Sequence, residues 1–211
     1  MRAYPRIVLM PLVAHSPLPA FERLINDGEH ILELGRATDQ DIRELHIGIL
    51  NMMPDAALQP TERQFMRLVG SSNRIAQFYV HPFTINGIER SEDTQSYINQ
   101  YYRSFEEIAD EGLDALIITG ANVPSSSFEA APFWPELTRV LDFARENVTS
   151  TLCACLATHA ALKYFYDVER VGLKDKRWGV FPHRAPLGLH TTIANVNRRL
   201  DVPHSRFNDI P

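Results

Sequence analysis

Short apolar segments alternate with amphipathic segments through the middle of this chain, and this alternation restricts the fold more than any other feature. Four apolar segments have the length of buried strands: 46–51, 74–80, 113–119 and 151–155. One segment between them has apolar residues at i, i+3, i+4 and i+7, which is the spacing of a helix face: Leu137, Val140, Leu141 and Ala144. Strands that alternate with helices predict an α/β fold with a mostly parallel sheet and helices on both faces.

Helices are predicted at 98–110, at 156–166 and from Pro60 and Pro135 onwards. In the helix from Pro60, Thr61 and Gln64 have the spacing of a capping box. The loops that follow Asn51, Thr119 and Cys155 all leave the carboxyl edge of the predicted sheet. Because the functional crevice of a parallel sheet lies at that edge, we expect the site there.

The two ends of the chain have weaker patterns than its middle. Residues 1–45 carry four prolines and few periodic signals, so we predict an irregular N-terminal arm that ends in a short polar helix. An α/β domain is predicted to follow, over residues 46–211. After Asp167 its pattern weakens, although 178–182 and 191–195 have the composition of strands.

Composition and charge exclude several classes of protein. Hydrophobic residues make up 45% of the 211 residues and charged residues 22%, which is typical of a globular domain and not of a disordered chain. The net charge of −5 argues against a nucleic-acid partner. No apolar run reaches about 18 residues, so no membrane-spanning helix is expected. The spacing of Cys153 and Cys155 is unsuited to a mutual disulfide, which favours a reducing cytoplasm.

Cys155 lies where the last predicted strand meets an alanine-rich helix. Backbone N–H groups at a helix N-terminus favour a thiolate and can also hold the oxyanion of a tetrahedral intermediate. Cys155 is therefore the candidate nucleophile, with a buried structural thiol as the alternative, and Cys153 is assigned to the core. Three histidines are candidates for the base: His159 on the same helix, and His183 and His204 in predicted loops. The histidines show no metal-ligand spacing.

Several segments match one family in its order along the chain. They are 37–45, 49–54, 61–68, 105–108, 114–121, 133–135, 149–152, Cys155 with 160–162, and 203–206. Together they resemble the homoserine O-acyltransferases, a family of succinyl- and acetyl-transferring enzymes, over residues 20–211. This resemblance implies a fold similar to that of class I glutamine amidotransferases, which agrees with the α/β prediction from the residues.

The resemblance also implies a reaction, the transfer of an acyl group from acyl-CoA to L-homoserine in methionine biosynthesis, with succinyl-CoA favoured as donor. Cys155 would carry the acyl group as a thioester in a ping-pong cycle. Lys176 and Ser205 align with substrate-binding residues of the family, Arg206 adjoins Ser205 and is assigned to the substrate carboxylate, and Pro124 stands where donor specificity is determined. The resemblance implies no bound cofactor or metal besides the acyl-CoA co-substrate, and it suggests a homodimer.

Three departures from the family leave alternatives open. The family's general-base histidine, its companion glutamate and a substrate-binding arginine have no aligned counterpart. The domain is therefore expected to be incomplete at its C-terminus, and an inactive binding or regulatory module is one alternative. Pro124 replaces the usual glycine or glutamate, so acetyl-CoA is an alternative donor. Asp55 and Ala56 replace lysines, so serine is an alternative acceptor. A glutaminase-like subunit is disfavoured because the neighbours of Cys155 are not glycine-like.

Overall fold

A computed structural model describes residues 11–73, 75–122, 127–184 and 199–210. The chain divides into two compact units, Met1–Ala161 and Leu162–Pro211. Its helices and strands, in chain order, are β1 (Val13–Ala14), α1 (Pro19–Asn26), β2 (Leu32–Glu33), α2 (Leu34–Thr38), β3 (Glu44–Leu50), α3 (Asp55–Ser72), β4 (Gln77–Phe83), α4 (Glu92–Tyr101), α5 (Phe105–Glu111), β5 (Ala115–Ile118), α6 (Trp134–Asn147), β6 (Ser150–Cys153), α7 (Leu156–Tyr166), β7 (Val171–Arg184) and β8 (Arg199–Asp209).

A parallel sheet of four strands forms the centre of the first unit. Its order is β4-β3-β5-β6, so that β3 and β5 are the central strands. Each of these strands lies at or next to a segment that the sequence predicts, and helices follow them in alternation. The predicted α/β fold with a mostly parallel sheet is therefore confirmed. All four strands have their carboxyl ends at one edge, and this edge carries the candidate site.

Helices pack on both faces of this sheet. On one face, α1 and α3 share a buried cluster with strand residues that alternate along β3, β4 and β5: Ile47, Ile49, Phe78, Val80 and Ile117. On the other face, the ring of Phe83 stacks on that of Phe105 in α5, which in turn meets Phe143 of α6 edge to face. Burial on both faces explains why these strands are almost continuously apolar in sequence.

The helix predicted from Pro60 begins five residues earlier, at Asp55, and Pro60 lies inside it. Thr61 therefore lies within the helix and is not its N-cap, so the predicted capping box is wrong. The helix instead follows Pro54 without a side-chain cap, and the Asp55 carboxylate lies in its first turn, where the helix dipole favours a negative charge. This carboxylate also accepts the backbone N–H of Ser91 at 2.8 Å. That contact joins residues 36 positions apart, so local spacing could not reveal it.

Two other boundaries differ from prediction. The segment 98–110 is divided between α4 and α5, since Ser104 caps α5 and forms a capping box with Glu107. The second strand is displaced to Gln77–Phe83 and is buried throughout, including Pro82. Proline has low strand propensity but is tolerated here because β4 is an edge strand of the sheet.

Residues 11–45 are more regular than predicted. Pro19 occupies the first turn of α1, where a proline is tolerated, and Phe21 and Leu24 of this helix are buried in the core. An isolated parallel bridge joins Leu12 to Phe78 of β4, next to β1. The expected division into an arm of residues 1–45 and a domain of residues 46–211 stays a prediction.

The second unit contains a long antiparallel ribbon formed by β7 and β8. Pairs run from Val171 with Asp209 to Arg184 with Arg199, and the register shifts between Gly172 and Arg177. The predicted strand at 178–182 lies within β7, whereas the one at 191–195 falls outside the described residues. Across the described parts of both units, no helix combines the length and the apolar character needed to cross a membrane.

Candidate active site

The turn between β6 and α7 places Cys155 on a strained backbone. Cys155 has φ of +55°, a conformation that costs a residue with a Cβ roughly 1–2 kcal/mol. The turn is closed on both sides: the N–H of Ala154 donates to the Ile118 carbonyl at 2.9 Å, and that of Thr158 donates to the Cys155 carbonyl at 3.1 Å. Strain held in this way presents the exposed Cys155 thiol at the carboxyl edge of the sheet.

The first N–H groups of α7 lie beside this thiol. Those of Ala157 and Thr158 are used in the turn, since they donate to the carbonyls of Ala154 and Cys155. Within the described residues the N–H of Leu156, which directly follows the cysteine, donates to no acceptor. An N–H next to the nucleophile at a helix N-terminus is suited to stabilise the oxyanion of an acyl-transfer intermediate.

Gly120 lies directly against the cysteine. A Cβ at Gly120 would be 3.0 Å from Cys155 Cβ, 3.2 Å from its Sγ and 3.5 Å from the nitrogen of Leu156. Only a residue without a side chain leaves the thiol and its neighbouring N–H open from this side. The sequence predicts that the loop after β5 meets Cys155 at the sheet edge, and the structure brings the two together.

Cys153 has a different environment from Cys155. Its side chain is half-buried, and burial raises the pKa of its thiol. Its carbonyl accepts the hydroxyl of Thr158 at 2.8 Å, so this end of the strand is tied to the first turn of α7. Cys153 is therefore only half-buried and not part of the buried core to which the sequence assigns it, but its thiol is less accessible than that of Cys155, which supports Cys155 as the nucleophile.

A cavity of about 480 Å³ lies at the same sheet edge. Its lining residues come from four segments: Met52 and Pro54; Gly87, Ile88 and Glu89; Ala121 and Asn122; and Ala130, Ala131, Pro132 and Phe133. Ala121 and Asn122 directly follow Gly120, the residue in contact with Cys155. The lining is mostly apolar, and Glu89 is the one ionisable residue among those named. The size is sufficient for a small amino acid or an acyl chain.

Thr119 connects two of these segments. Its hydroxyl accepts the N–H of Met52 at 2.8 Å and donates to the Gly120 carbonyl at 3.1 Å. The loop after β3 is thereby joined to the loop that touches Cys155. Asn51 and Thr119, which directly follow β3 and β5, are both buried, and their polar side chains are hydrogen-bonded, as buried polar groups usually are.

A buried polar network supports the same edge and was not found from sequence. Glu62 of α3 is completely buried and accepts the hydroxyls of Tyr97 at 3.0 Å and Tyr102 at 2.9 Å. The amide of Asn51 donates to the Tyr102 oxygen at 3.0 Å and to the Leu58 carbonyl at 2.9 Å. Burial raises the pKa of Glu62 to about 6. A glutamate in an amphipathic helix carries no sequence signal of such burial.

The substrate-binding candidates of the family alignment lie in the second unit, on the β7–β8 ribbon. Lys176 is exposed and its Nζ lies 4.6 Å from the ring centre of Trp178 and 5.4 Å from that of Phe207. Ser205 is exposed and pairs with Trp178 across the ribbon. Strand alternation therefore places Lys176 and Ser205 on one face.

Arg206 follows Ser205 and lies on the opposite face of the ribbon, where it pairs with Arg177. Both arginines contact the carboxylate of Asp209, at 3.2 Å from Arg206 and 3.0 Å from Arg177. Asp209 therefore compensates part of the positive charge of Arg206, the residue that is assigned from sequence to bind the substrate carboxylate. The roles of Lys176, Ser205 and Arg206 stay predictions, and Pro124 falls outside the described residues.

The three candidate bases are distributed over both units. His159 is half-buried on α7. His183 and His204 lie on β7 and β8 and not in loops, with their ring centres 4.9 Å apart, because the ribbon is longer than its composition indicates. In the described part of the chain, no group of three or more histidine, cysteine, aspartate or glutamate side chains is arranged to hold a metal ion.

Fold and site together define a class of protein: a parallel α/β protein with a cysteine on a strained strand-to-helix turn. A glycine of the neighbouring loop lies against this cysteine, and the next residues of that loop line a cavity. Comparison of the sequence with known families is more specific. The homoserine O-succinyltransferase family matches residues 11–211, and the chain belongs to that family. The resemblance in its motifs is thereby confirmed.

Curated relatives carry the same name. The homoserine O-succinyltransferases of Methylobacter tundripaludum and Nitrosococcus oceani are each 59% identical to this chain, and that of Methylococcus capsulatus is 57% identical, each over 201 residues or 95% of the chain. The matched region is 57%, 56% and 57% of these relatives, respectively. The chain thus spans somewhat more than half of their length.

Proposed function

We propose that this protein is an acyltransferase of methionine biosynthesis that moves a succinyl group from succinyl-CoA to the hydroxyl of L-homoserine. The observation that carries the proposal is Cys155, an exposed thiol on a strained turn at a helix N-terminus, with Gly120 against it. Membership of the homoserine O-succinyltransferase family supports the donor and the acceptor.

In the first half-reaction, the Cys155 thiolate attacks the thioester carbonyl of succinyl-CoA. The oxyanion that forms accepts the N–H of Leu156, and collapse of the intermediate expels the thiolate of CoA, which takes up a proton. A new thioester then joins the succinyl group to Cys155. The exchange of one thioester for another is close to balanced in energy, so the enzyme mainly needs to stabilise the intermediate.

In the second half-reaction, the homoserine hydroxyl attacks the thioester carbonyl on Cys155. A base takes the hydroxyl proton, the same N–H holds the oxyanion, and the Cys155 thiolate leaves as O-succinylhomoserine forms. We propose Lys176, Ser205 and Arg206 as the groups that bind the substrates, through the positive charges and a hydroxyl suited to carboxylates. Pro124 is proposed to influence the donor chain length. Cytoplasmic location and a homodimer are also proposed.

The two half-reactions can be tested separately. With succinyl-CoA alone, we expect release of CoA and a mass gain of one succinyl group on the tryptic peptide of Cys155. With homoserine added, we expect O-succinylhomoserine. The matched variants are Cys155→Ala, which should abolish both products, and Cys153→Ala, which should retain them.

The choice of substrates is tested by parallel reactions. Acetyl-CoA in place of succinyl-CoA, and serine in place of homoserine, should give slower transfer under the same conditions. Full transfer by Cys155→Ala would overturn the thioester mechanism. Binding of succinyl-CoA or homoserine without acylation of Cys155 would overturn the proposed enzyme in favour of a binding module.

A further inference from the structure

The side chain of Arg90 joins two of the segments that line the cavity at the carboxyl edge of the sheet. Its guanidinium donates through Nη1 to the Met53 carbonyl and through Nη2 to the Asn51 carbonyl at 3.4 Å. These two carbonyls belong to the loop after β3, which lines the cavity with Met52 and Pro54. Arg90 itself directly follows residues 87–89, which form another of the lining segments.

Burial makes this contact more than a surface ion pair. The Arg90 side chain is only 4% exposed, and a buried guanidinium is unfavourable unless its charge and donors are compensated. Asp55 supplies the charge, with Oδ1 at 3.4 Å from Arg90 Nη1, while its Oδ2 accepts the N–H of Ser91. The hydrogen bond from Ser91 lowers the pKa of Asp55, so this carboxylate stays ionised at neutral pH.

A planar guanidinium is required for this arrangement. Two carbonyls and one carboxylate are held by one side chain, and a lysine ammonium at the same position could not match that fork. The Nε of Arg90 is buried without a partner in the described part of the chain.

Arg90, Asp55 and the two loop carbonyls together form a clamp, which is connected to Cys155 through two further contacts. The loop held by Arg90 is bonded to Thr119 through the N–H of Met52, and Gly120, the next residue, touches Cys155. The named lining residues carry one ionisable group, that of Glu89, so the cavity is better suited to an amino-acid ammonium than to anionic succinyl-CoA.

We propose that Arg90 is a positioning residue, which fixes the width of this cavity and makes it the binding site of the acceptor amino acid. This inference rests on the proposed function. It assigns the Arg90–Asp55 pair to the second half-reaction and predicts that the first half-reaction depends on it little.

The test compares Arg90→Lys with Arg67→Lys. Arg67 forms ion pairs with two carboxylates, those of Asp27 and Glu29, and within the described residues its side chain makes no hydrogen bond or ion pair with the segments that line the cavity. In Arg90→Lys we expect the KM for homoserine to rise by about tenfold or more, since small misplacements near a reacting centre have effects up to roughly a hundredfold. Acylation of Cys155 by succinyl-CoA should keep its wild-type rate. Arg67→Lys should match wild type in both.

Hydrogen exchange gives a readout that does not need activity. Backbone amides of the segment 52–57 should exchange faster in Arg90→Lys than in wild type or in Arg67→Lys, whether or not transfer is detected. Wild-type exchange in that segment would overturn the clamp. Absence of acyl transfer by the wild-type protein would instead overturn the proposed function. In that case the hydrogen-exchange result alone would show whether Arg90 holds the loop.

A second variant covers the case in which Arg90→Lys does not fold. Asp55→Asn removes the charge that compensates Arg90 but keeps an acceptor for the N–H of Ser91. It should show the same rise in homoserine KM and the same faster exchange, to a smaller extent. A rise in KM for succinyl-CoA with unchanged KM for homoserine would assign the cavity to the donor and overturn the proposal.

Discussion

Gly120 and Cys155 are in contact at the carboxyl edge of the sheet, and a methyl group on Gly120 would lie 3.2 Å from the Cys155 sulfur. This contact joins the loop after β5 to the turn after β6. A side chain at Gly120 would be in closer than ordinary van der Waals contact, and the nearest atoms belong to a surface-exposed cysteine and not to the core. Substitution of Gly120 should therefore affect reactivity more than stability.

We expect Gly120→Ala to slow acylation of Cys155 by about 10- to 100-fold, because the added methyl group displaces the thiol from the Leu156 N–H. Release of CoA in the first turnover measures this rate. Gly35→Ala is the matched control, since a Cβ there meets nothing within 4 Å and lies in helix α2. Equal rates for the two variants would contradict the assignment of this contact to the active site.

Cys155 should be alkylated by iodoacetamide before Cys153. The thiolate is the reacting form, Cys155 is exposed, and burial raises the pKa of Cys153 above its usual value. Peptide mass spectrometry at successive times and at rising pH separates the two sites. In Cys155→Ala the remaining Cys153 should stay slow until the protein is unfolded with urea. Rapid labelling of Cys153 in the folded variant would argue against the protection that its partial burial provides.

Glu62 should make stability depend on pH in a direction unusual for a carboxylate. Its pKa in the folded protein is about 6, above the value of 4.5 expected when it is unfolded, so the folded state binds the proton more tightly. The stabilisation of the folded state by protonated Glu62 is therefore fully present below pH 4.5 and is lost as the pH rises through about 6. The difference of about 1.5 pKa units corresponds to about 2 kcal/mol lost at neutral pH.

Glu62→Gln tests this sign. The amide cannot ionise and retains an oxygen that can accept a tyrosine hydroxyl, so its stability should change less between pH 4.5 and 6.5 than that of wild type. Urea unfolding at several pH values gives the free energy of unfolding as a function of pH for wild type and for Glu62→Gln. Glu22→Gln, an exposed change on α1, is the control and should follow wild type. A steeper loss of stability with rising pH in Glu62→Gln than in wild type would contradict the interpretation.

The sequence predicts those parts of the fold that depend on local pattern. The change from strand spacing to an alanine-rich helix locates the Cys155 turn, and α7 begins and ends where predicted, at Leu156 and Tyr166. Parallel strands bring their carboxyl ends together, so the meeting of Gly120 with Cys155 also follows from the pattern.

The contacts around the site depend on partners far away in the chain and have no local signal. Arg90 is buried because Asp55 and two carbonyls compensate it, 35 to 39 positions earlier. Glu62 is buried because Tyr97 and Tyr102 reach it from beyond another strand. A charged residue in an exposed pattern is read from sequence as solvated, and only tertiary structure reveals such partners.

The backbone of Cys155 gives the last prediction, because φ of +55° is favourable for glycine and unfavourable for cysteine or alanine. Cys155→Gly and Cys155→Ala both remove the thiol and should both abolish acyl transfer. They should differ in stability, with the glycine variant more stable than the alanine variant by about 1 kcal/mol in free energy of unfolding, since alanine retains the strained Cβ.

Urea denaturation at pH 7 measures this difference, with Ala161→Gly on α7 as the control. At that helical position, glycine should instead cost about 1 kcal/mol relative to alanine. The opposite signs at positions 155 and 161 would show that the strain belongs to the turn and not to the helix. If Cys155→Ala is as stable as Cys155→Gly or more stable, the backbone at position 155 is not strained.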